Sequence, residues 1–452
     1  MDRLSELPER ILVHILSFVN MRDLVRTAIL SKHWRHLWST VPNLDFSDDD
    51  FYPYQNYVDF VNRTLLSRGT SKIRRLKIGL FLNASYRKDY DGWILYAAKN
   101  NVEELFLEFN QDCCYWFPPQ CVYRNSSLKI LSLWSCKFIS DVQISWNLLT
   151  KLTLRFSVLR NQDVHKIMVG APKLEFLDLD SCWGYDDLNI DSPSLRTLIV
   201  CEWESVEFEL GPIMTISAPN VQTLRLSGFL YRKCILMNVP SVVNATLNFR
   251  PHTGFSAEKK NLKGQQDNLM ELIRSLKHVE NLTLGAWCVE ILALREKKRI
   301  PSQISTRKCV TLSIHMKEDD LLGTVNLLKG SPALQMLIID MEYGPYEQPK
   351  GAELADSENF YTSIGANYLA SQAKQVKCLL HHLKTVKITQ FVAKTSVFPF
   401  LEFILKNGKV LENVVIIAKR FDANSPEYLL KVAQILLNLP RASSRAVIKL
   451  LN

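Results

Sequence analysis

His33 and His36 stand one helical turn apart in LSKHWRHLW, residues 30–38, flanked by Trp34 and Trp38. Two imidazoles on one helix face are a possible zinc pair. The same spacing is what an amphipathic helix makes with an exposed polar stripe opposite its tryptophans, and that reading is preferred. Among the ten cysteines only Cys113, Cys114 and Cys121 lie close together, and no Cys-x-x-Cys occurs. Neither a disulfide framework nor a zinc knuckle is indicated, and reduced thiols in the nucleus or cytoplasm are expected. The acidic run SDDD at 47–50 reads as a solvated turn. No two of the 16 glycines are closer than seven residues. That spacing rules out the dinucleotide fingerprint, the phosphate loop, the kinase glycine loop and G-x-S-x-G, and no H-E-x-x-H occurs. The residues therefore suggest no catalytic centre, no cofactor and no metal, and a non-catalytic protein is expected.

What must position side chains here is a sizeable globular chain. Its 452 residues are 47% hydrophobic and 22% charged, in the range of folded domains. No run approaches the ~18 apolar residues of a membrane helix, and MDRLSELPER does not resemble a secretory signal. The net charge of +9 is concentrated at the end: residues 372–452 hold 13 Lys/Arg against 4 Asp/Glu. Such a surplus spread over a long segment reads as a solvated face.

Three zones follow. In LPERILVHILSFV, Leu7, Ile11, Leu12, Ile15, Leu16 and Val19 recur at three and four, which predicts a helix entered through Pro8. Leu24, Val25, Ala28 and Ile29 continue the period, and Ser31 offers a cap for a third helix carrying Trp34, Leu37 and Trp38. Three helices in under forty residues cannot enclose so many large side chains by themselves.

The second zone, about 70–345, repeats itself. APKLEFLDL (171–179), SPSLRTLIV (192–200), APNVQTLRL (218–226), VPSVVNATL (239–247) and SPALQMLII (331–339) each place apolar or small residues two, five and seven after the proline. NVEELFLEF (101–109), SSLKILSLW (126–134), LLTKLTLRF (148–156) and HVENLTLGA (278–286) share the pattern without it. Positions five and seven lie on one face of a strand, and proline fixes the entry into it. A period of 20–29 with L-x-x-L-x-L is the signature of leucine-rich repeats with stacked parallel strands. Cys136 and Cys182, three past Leu133 and Leu179, stand where the repeat bonds a side chain to exposed backbone. Regularity lapses at 251–268 and 340–375, both predicted as polar loops.

In the third zone, 376–452, LKTVKITQF (383–391) and LENVVIIAK (411–419) read as strands. FPFLEFILKNGKV reads as a helix closed at Asn407-Gly408, and PEYLLKVAQILLNLP as another between Pro426 and Pro440.

The N-terminal zone resembles the F-box motif through its Leu-Pro opening and its LSKHWRHLW ending, departing from it at Asn20-Met21 and His33. The C-terminal zone resembles the FBD domain, found after leucine-rich repeats in a large plant family, through LKTVKITQF, FLEFILKNGKVLENVVI and LPRASSRAVIKL. The chain is thus similar to F-box/FBD/LRR proteins. The resemblance implies an α/β fold: a three-helix F-box at 1–45, a leucine-rich-repeat solenoid with parallel strands at 70–345, a linker at 346–375, and an α/β FBD cap at 376–452. It also implies a non-catalytic substrate receptor of an SCF ubiquitin ligase. The F-box would dock on an SKP-type adaptor, and through it a cullin, while the repeats hold a target protein.

The residues expected to contact the adaptor are Leu7, Pro8, Ile11, Ile15, Leu16, Leu24, Ala28, Leu30, Ser31, Trp34, Leu37 and Trp38. The two tryptophans project together, and their reading divides between docking and packing against the first repeat. Residues 1–45 carry six Lys/Arg against five Asp/Glu, too nearly neutral for a phosphate-driven nucleic-acid site. The rival to the ligase reading is a leucine-rich-repeat scaffold that binds a partner without ubiquitin transfer.

Overall fold

The computed structural model describes residues 6–46, 54–68, 71–81, 87–110, 115–202, 213–230, 232–250, 260–341, 368–369, 371–392, 397–419 and 426–451. Cys113, Cys114, the SDDD run and most of the predicted 346–375 linker lie outside them. The described residues fall into two compact units, one reaching residue 202 and including 214–221, the other running from 222.

The first unit opens with α1 (Glu9–Leu16), α2 (Met21–Arg26), a 3-10 turn (Thr27–Ile29) and α3 (Trp34–Thr40). The chain then enters β1 (Asn43–Phe46), which pairs in parallel with β2 (Arg75–Phe81). The ladder therefore begins earlier than residue 70, where the repeats were expected to start. It continues in chain order through β3 (Glu104–Asn110), β4 (Ile130–Trp134), β5 (Lys151–Arg155), β6 (Phe176–Asp180) and β8 (Thr197–Glu202), every pairing parallel. A short second ladder pairs β7 (Asp187–Asn189) with β9 (Met214–Ser217). The connections include α4 (Tyr54–Ser67), α5 (Arg87–Lys99), α6 (Gln120–Tyr123) and α7 (Asn161–Gly170).

In the second unit the ladder is β10 (Thr223–Phe229), β12 (Asn244–Arg250), β13 (Asn281–Leu284), β14 (Cys309–Ile314), β15 (Met336–Met341), β16 (Thr385–Phe391), β17 (Asn413–Ala418) and β18 (Val447–Leu451), again all parallel. Outside this ladder lies β11 (Cys234–Asn238). The helices are α8 (Lys260–Ser275), α9 (Ala286–Lys297), α10 (Glu318–Lys329), α11 (Lys377–His381), α12 (Val397–Asn407) and α13 (Pro426–Asn438). Residues 376–452, which resemble the FBD domain, thus supply three more strands to the same ladder.

The repeat pattern explains the core. Leu174, Leu177 and Leu179, Leu195, Leu198 and Val200, Val221, Leu224 and Leu226, Val242, Ala245 and Leu247, and Leu334, Leu337 and Ile339 are all at most 2% exposed. Each buried leucine contributes about 1.5–3 kcal/mol relative to exposure, which is why this pattern fixes the fold.

Directly after β4, β5 and β6, Ser135, Phe156 and Ser181 adopt left-handed φ of 53°, 48° and 56°. There the chain turns off the sheet, and isolated bridges Lys137–Val158 and Val158–Trp183 follow. The Cys182 thiol donates to the Leu154 carbonyl at 3.3 Å, and Cys136 Sγ lies 3.4 Å from Ser157 Oγ, whose hydroxyl donates to the Arg155 carbonyl. Cys288 does likewise in the second unit, donating to the Leu247 carbonyl at 3.4 Å. Burial pushes the Cys136 and Cys288 thiols up to about 12.

One expectation is corrected. From Lys260 onward the predicted 251–268 loop is helix, the start of α8. Its polar composition misleads because Gln265 and Asn268 are buried. Asn268 accepts from the Cys234 amide at 3.2 Å and donates to the Arg232 carbonyl at 3.0 Å, satisfying backbone that would otherwise be orphaned.

Candidate interaction surface

α1 follows Pro8 at its N-cap, a residue without an amide to leave unpaired, with Glu9 in the positive first turn. α2 is capped by Asn20, whose side chain accepts from the Asp23 amide at 2.9 Å. Arg26 closes on Asp23 at 3.1 Å. Ser31 Oγ accepts from the Trp34 amide at 3.3 Å, the capping role its position predicts for α3.

These short helices are amphipathic, and their inward faces are filled. Leu12, Leu16, Met21, Leu24, Trp34, Leu37 and Trp38 are all 6% exposed or less, and Val41 and Leu44 carry the same core into β1. The opposite side is open: Ile11 is 46% exposed, Ile15 40%, Phe18 78%, Val19 36%, Ile29 85% and Leu30 65%. Six large apolar side chains facing solvent on a segment of twenty residues is the composition of an interface, not of an ordinary surface.

The twelve residues expected to meet the adaptor therefore separate. Pro8, Ile11, Ile15, Leu30 and Ser31 are exposed, and Leu7 and Ala28 half-buried. Leu16, Leu24, Trp34, Leu37 and Trp38 are buried and hold the helices together. Both tryptophans are buried, 6% exposed each, on a helix that packs against α1 and the 3-10 turn. Phe18 joins the open face without having been singled out, and Val19 and Ile29, read as part of the helical period, join it without having been expected to meet the adaptor. The first two follow the end of α1 at Leu16, and Ile29 sits in a 3-10 turn, whose rotation of roughly 120° per residue carries it off the α-helical period. His33 and His36 are exposed on α3, and among the described residues no group of His, Cys, Asp and Glu could hold a metal ion.

The strands carry a second surface. In the first unit the outward positions are charged and aromatic. Arg75 lies over the Phe106 ring and Lys151 over Phe176, each at 4.5 Å. Lys77 pairs with Glu108 at 3.1 Å, and Arg155 spans Trp134 and Asp180. Beyond the strand ends Tyr115, Phe117, Phe156 and Trp183 are 37–44% exposed, with Tyr115 packed edge-on to Trp183 at 5.4 Å. In the second unit one outward row, in register, reads Thr223, Asn244, Asn281, Cys309, Met336, Thr385, Asn413 and Val447, without a charge.

Open-faced helices leading into a parallel ladder of leucine repeats define an F-box protein with leucine-rich repeats. The F-box domain model matches residues 4–46, and the model described as At1g61320/AtMIF1, LRR domain, matches 67–427. The chain is 28% identical to F-box/LRR-repeat protein At5g02910 of Arabidopsis thaliana, over 96% of this chain and 93% of that one. To F-box/LRR-repeat protein At3g03360 of the same plant it is 29% identical, over 92% and 84%. The chain belongs to the F-box/LRR-repeat family. No helix of the described residues is long and apolar enough to cross a membrane.

Proposed function

We propose that the protein is the substrate-recognition subunit of an SCF-type ubiquitin ligase, working in the nucleus or cytoplasm. Its F-box docks on an SKP-type adaptor and so reaches a cullin, and its repeats hold a target protein for ubiquitination. It does no chemistry of its own in this role. The observation that carries the reading is the open face of Ile11, Ile15, Phe18, Val19, Ile29 and Leu30, solvent-exposed while Leu12, Leu16, Met21, Leu24, Trp34, Leu37 and Trp38 are packed. Outward-facing apolar anchors of this kind give interfaces most of their energy, about 2 kcal/mol or more each.

Ile11→Asp together with Ile29→Asp tests it. Both side chains are exposed, so the unfolding midpoint stays within error of the parent. Co-purification with an SKP-type adaptor falls at least about thirtyfold. Undiminished co-purification of this folded variant overturns the reading. Adaptor binding without any change in target turnover when the adaptor is removed would leave the scaffold without ubiquitin transfer.

A further inference from the structure

In the second unit, the end of α9, the residues that follow it, α10 and residues around Tyr368 line an open cleft of about 1080 Å³, with Arg299 and Ile304 exposed at its mouth. That is the size of a small-molecule site. Ile300, Pro301, Ile304, Leu321, Leu322 and Leu369 supply its apolar wall.

The charges on the lining do not cancel. Glu296 and Lys329 form an ion pair with side chains 11% and 14% exposed. The Glu296 carboxylate is fully engaged: Lys329 Nζ and Tyr368 Oη donate to Oε1, and Asn326 Nδ2 donates to Oε2 at 2.8 Å. Burial pushes this carboxyl up, but the three hydrogen bonds outweigh it and hold it below the usual range. Lys329 donates to Glu296 alone among the described residues, which leaves its ammonium with unused N–H donors. Lys297 is held by Asp319 at 2.6 Å. Arg299 has no such partner among the described residues, so the described lining carries one unmatched positive charge. Arg299 takes a left-handed φ of 54° just past the end of α9, where the Ile300 amide donates to the Arg295 carbonyl at 3.0 Å and turns the chain off the helix.

We propose that this cleft binds a small molecule with an apolar body and a single negatively charged group, the anion meeting Arg299 and the free donors of Lys329. One unmatched cation selects a monoanion. A cation is repelled by Arg299, and a polyanion finds no further charge to neutralise. An apolar body matches Ile300, Pro301, Ile304, Leu321, Leu322 and Leu369, while Ser302, Ser371, Gln372 and Gln375 supply the uncharged polar part of the lining. The site is separate from the adaptor face and does not depend on adaptor docking.

Two fluorescent probes test the inference on the full chain: 1-anilinonaphthalene-8-sulfonate, an apolar monoanion, and N-phenyl-1-naphthylamine, a comparable body without the charge. Arg299→Asn removes the charge and relaxes the backbone, so the variant folds. Ile304→Asp alters an exposed side chain. Saturable sulfonate binding is expected, weakened about tenfold by Arg299→Asn and restored by Arg299→Lys, while the neutral probe changes by less than about twofold. Ile304→Asp weakens both probes. Equal sulfonate affinity in the parent and Arg299→Asn overturns the proposal, as does retention of both probes by Ile304→Asp, which places them elsewhere on the surface.

Discussion

The two units build their strands from the same inward leucines and dress them differently outside. In the first unit, Arg75, Lys77, Glu108, Lys151, Arg155 and Asp180 mix both signs along the sheet, and rings lie beneath three of the cations. In the second, Thr223, Asn244 and Asn281 form a row of hydroxyls and amides, with Asn281 donating to Asn244 at 2.7 Å. The lesson is a separation of tasks. The inward positions are confined to apolar or small side chains by the stacking of strands, whereas the outward positions are free to differ in charge and polarity. Aromatic and arginine side chains are the residues from which protein interfaces draw their energy, and hydroxyl rows are not. The first unit's face is accordingly richer in the side chains that interfaces use.

The largest effect tests the shared half of that comparison. Leu154→Ala in the first unit and Leu247→Ala in the second, both fully buried, should each destabilise their unit by about 2–5 kcal/mol in denaturant unfolding. Costs that differ severalfold would break the equivalence of the two ladders.

An intermediate effect comes from the buried thiols. Burial raises Cys136 and Cys288 from 9.0 to about 12 in the folded chain. The folded values lie above the unfolded ones, so their stabilising contribution is complete below pH 9 and is lost as pH rises toward 12. Unfolding free energy should therefore fall across that window, by at most about 1.4 kcal/mol per pH unit for each thiol. Cys288→Ala should flatten the slope in the second unit, and an unchanged slope would refute the assignment.

The smallest effect sharpens the difference between the faces. Arg155→Ala removes a half-exposed group touching Trp134 and Asp180, at a cost of about 0.5–1 kcal/mol, whereas Thr311→Ala should cost less than about 0.5 kcal/mol. Equal costs in thermal unfolding would mean that Arg155, with its ring and its carboxylate, knits the first ladder no better than a threonine knits the second.

The inner ladder was legible in the sequence because strand geometry repeats without variation: Leu177 and Leu179 share a face wherever the chain is extended, and proline marks the entry. The last two helices were legible for the same kind of reason, with Asn407-Gly408 and Pro426 as local punctuation. The open face of the N-terminal helices was only half legible. A four-residue spacing says that Trp34 and Trp38 point together but not that their side of the helix is the one that packs against α1 and the 3-10 turn. Phe18 and Ile29 fall where the helical period stops. α8 was hidden because Gln265 and Asn268 look like loop residues until their buried backbone partners are known. The cleft beside Arg299 brings together residues from three separated segments, which no local pattern announces.

The F-box is not hung from the repeats on a tether. Val41 and Leu44 carry its core straight into β1, which α2 packs against, and Tyr57 of α4 donates to the carbonyl of Phe46 at the far end of that strand. A bound adaptor would be held like a tool in a vice, so the reach and angle at which the first repeats offer a target would be set by the rigidity of that joint. Lysines on the target would then be chosen by where they stand in space, and a flexible insert after Val41 should blur that choice while leaving both binding surfaces intact.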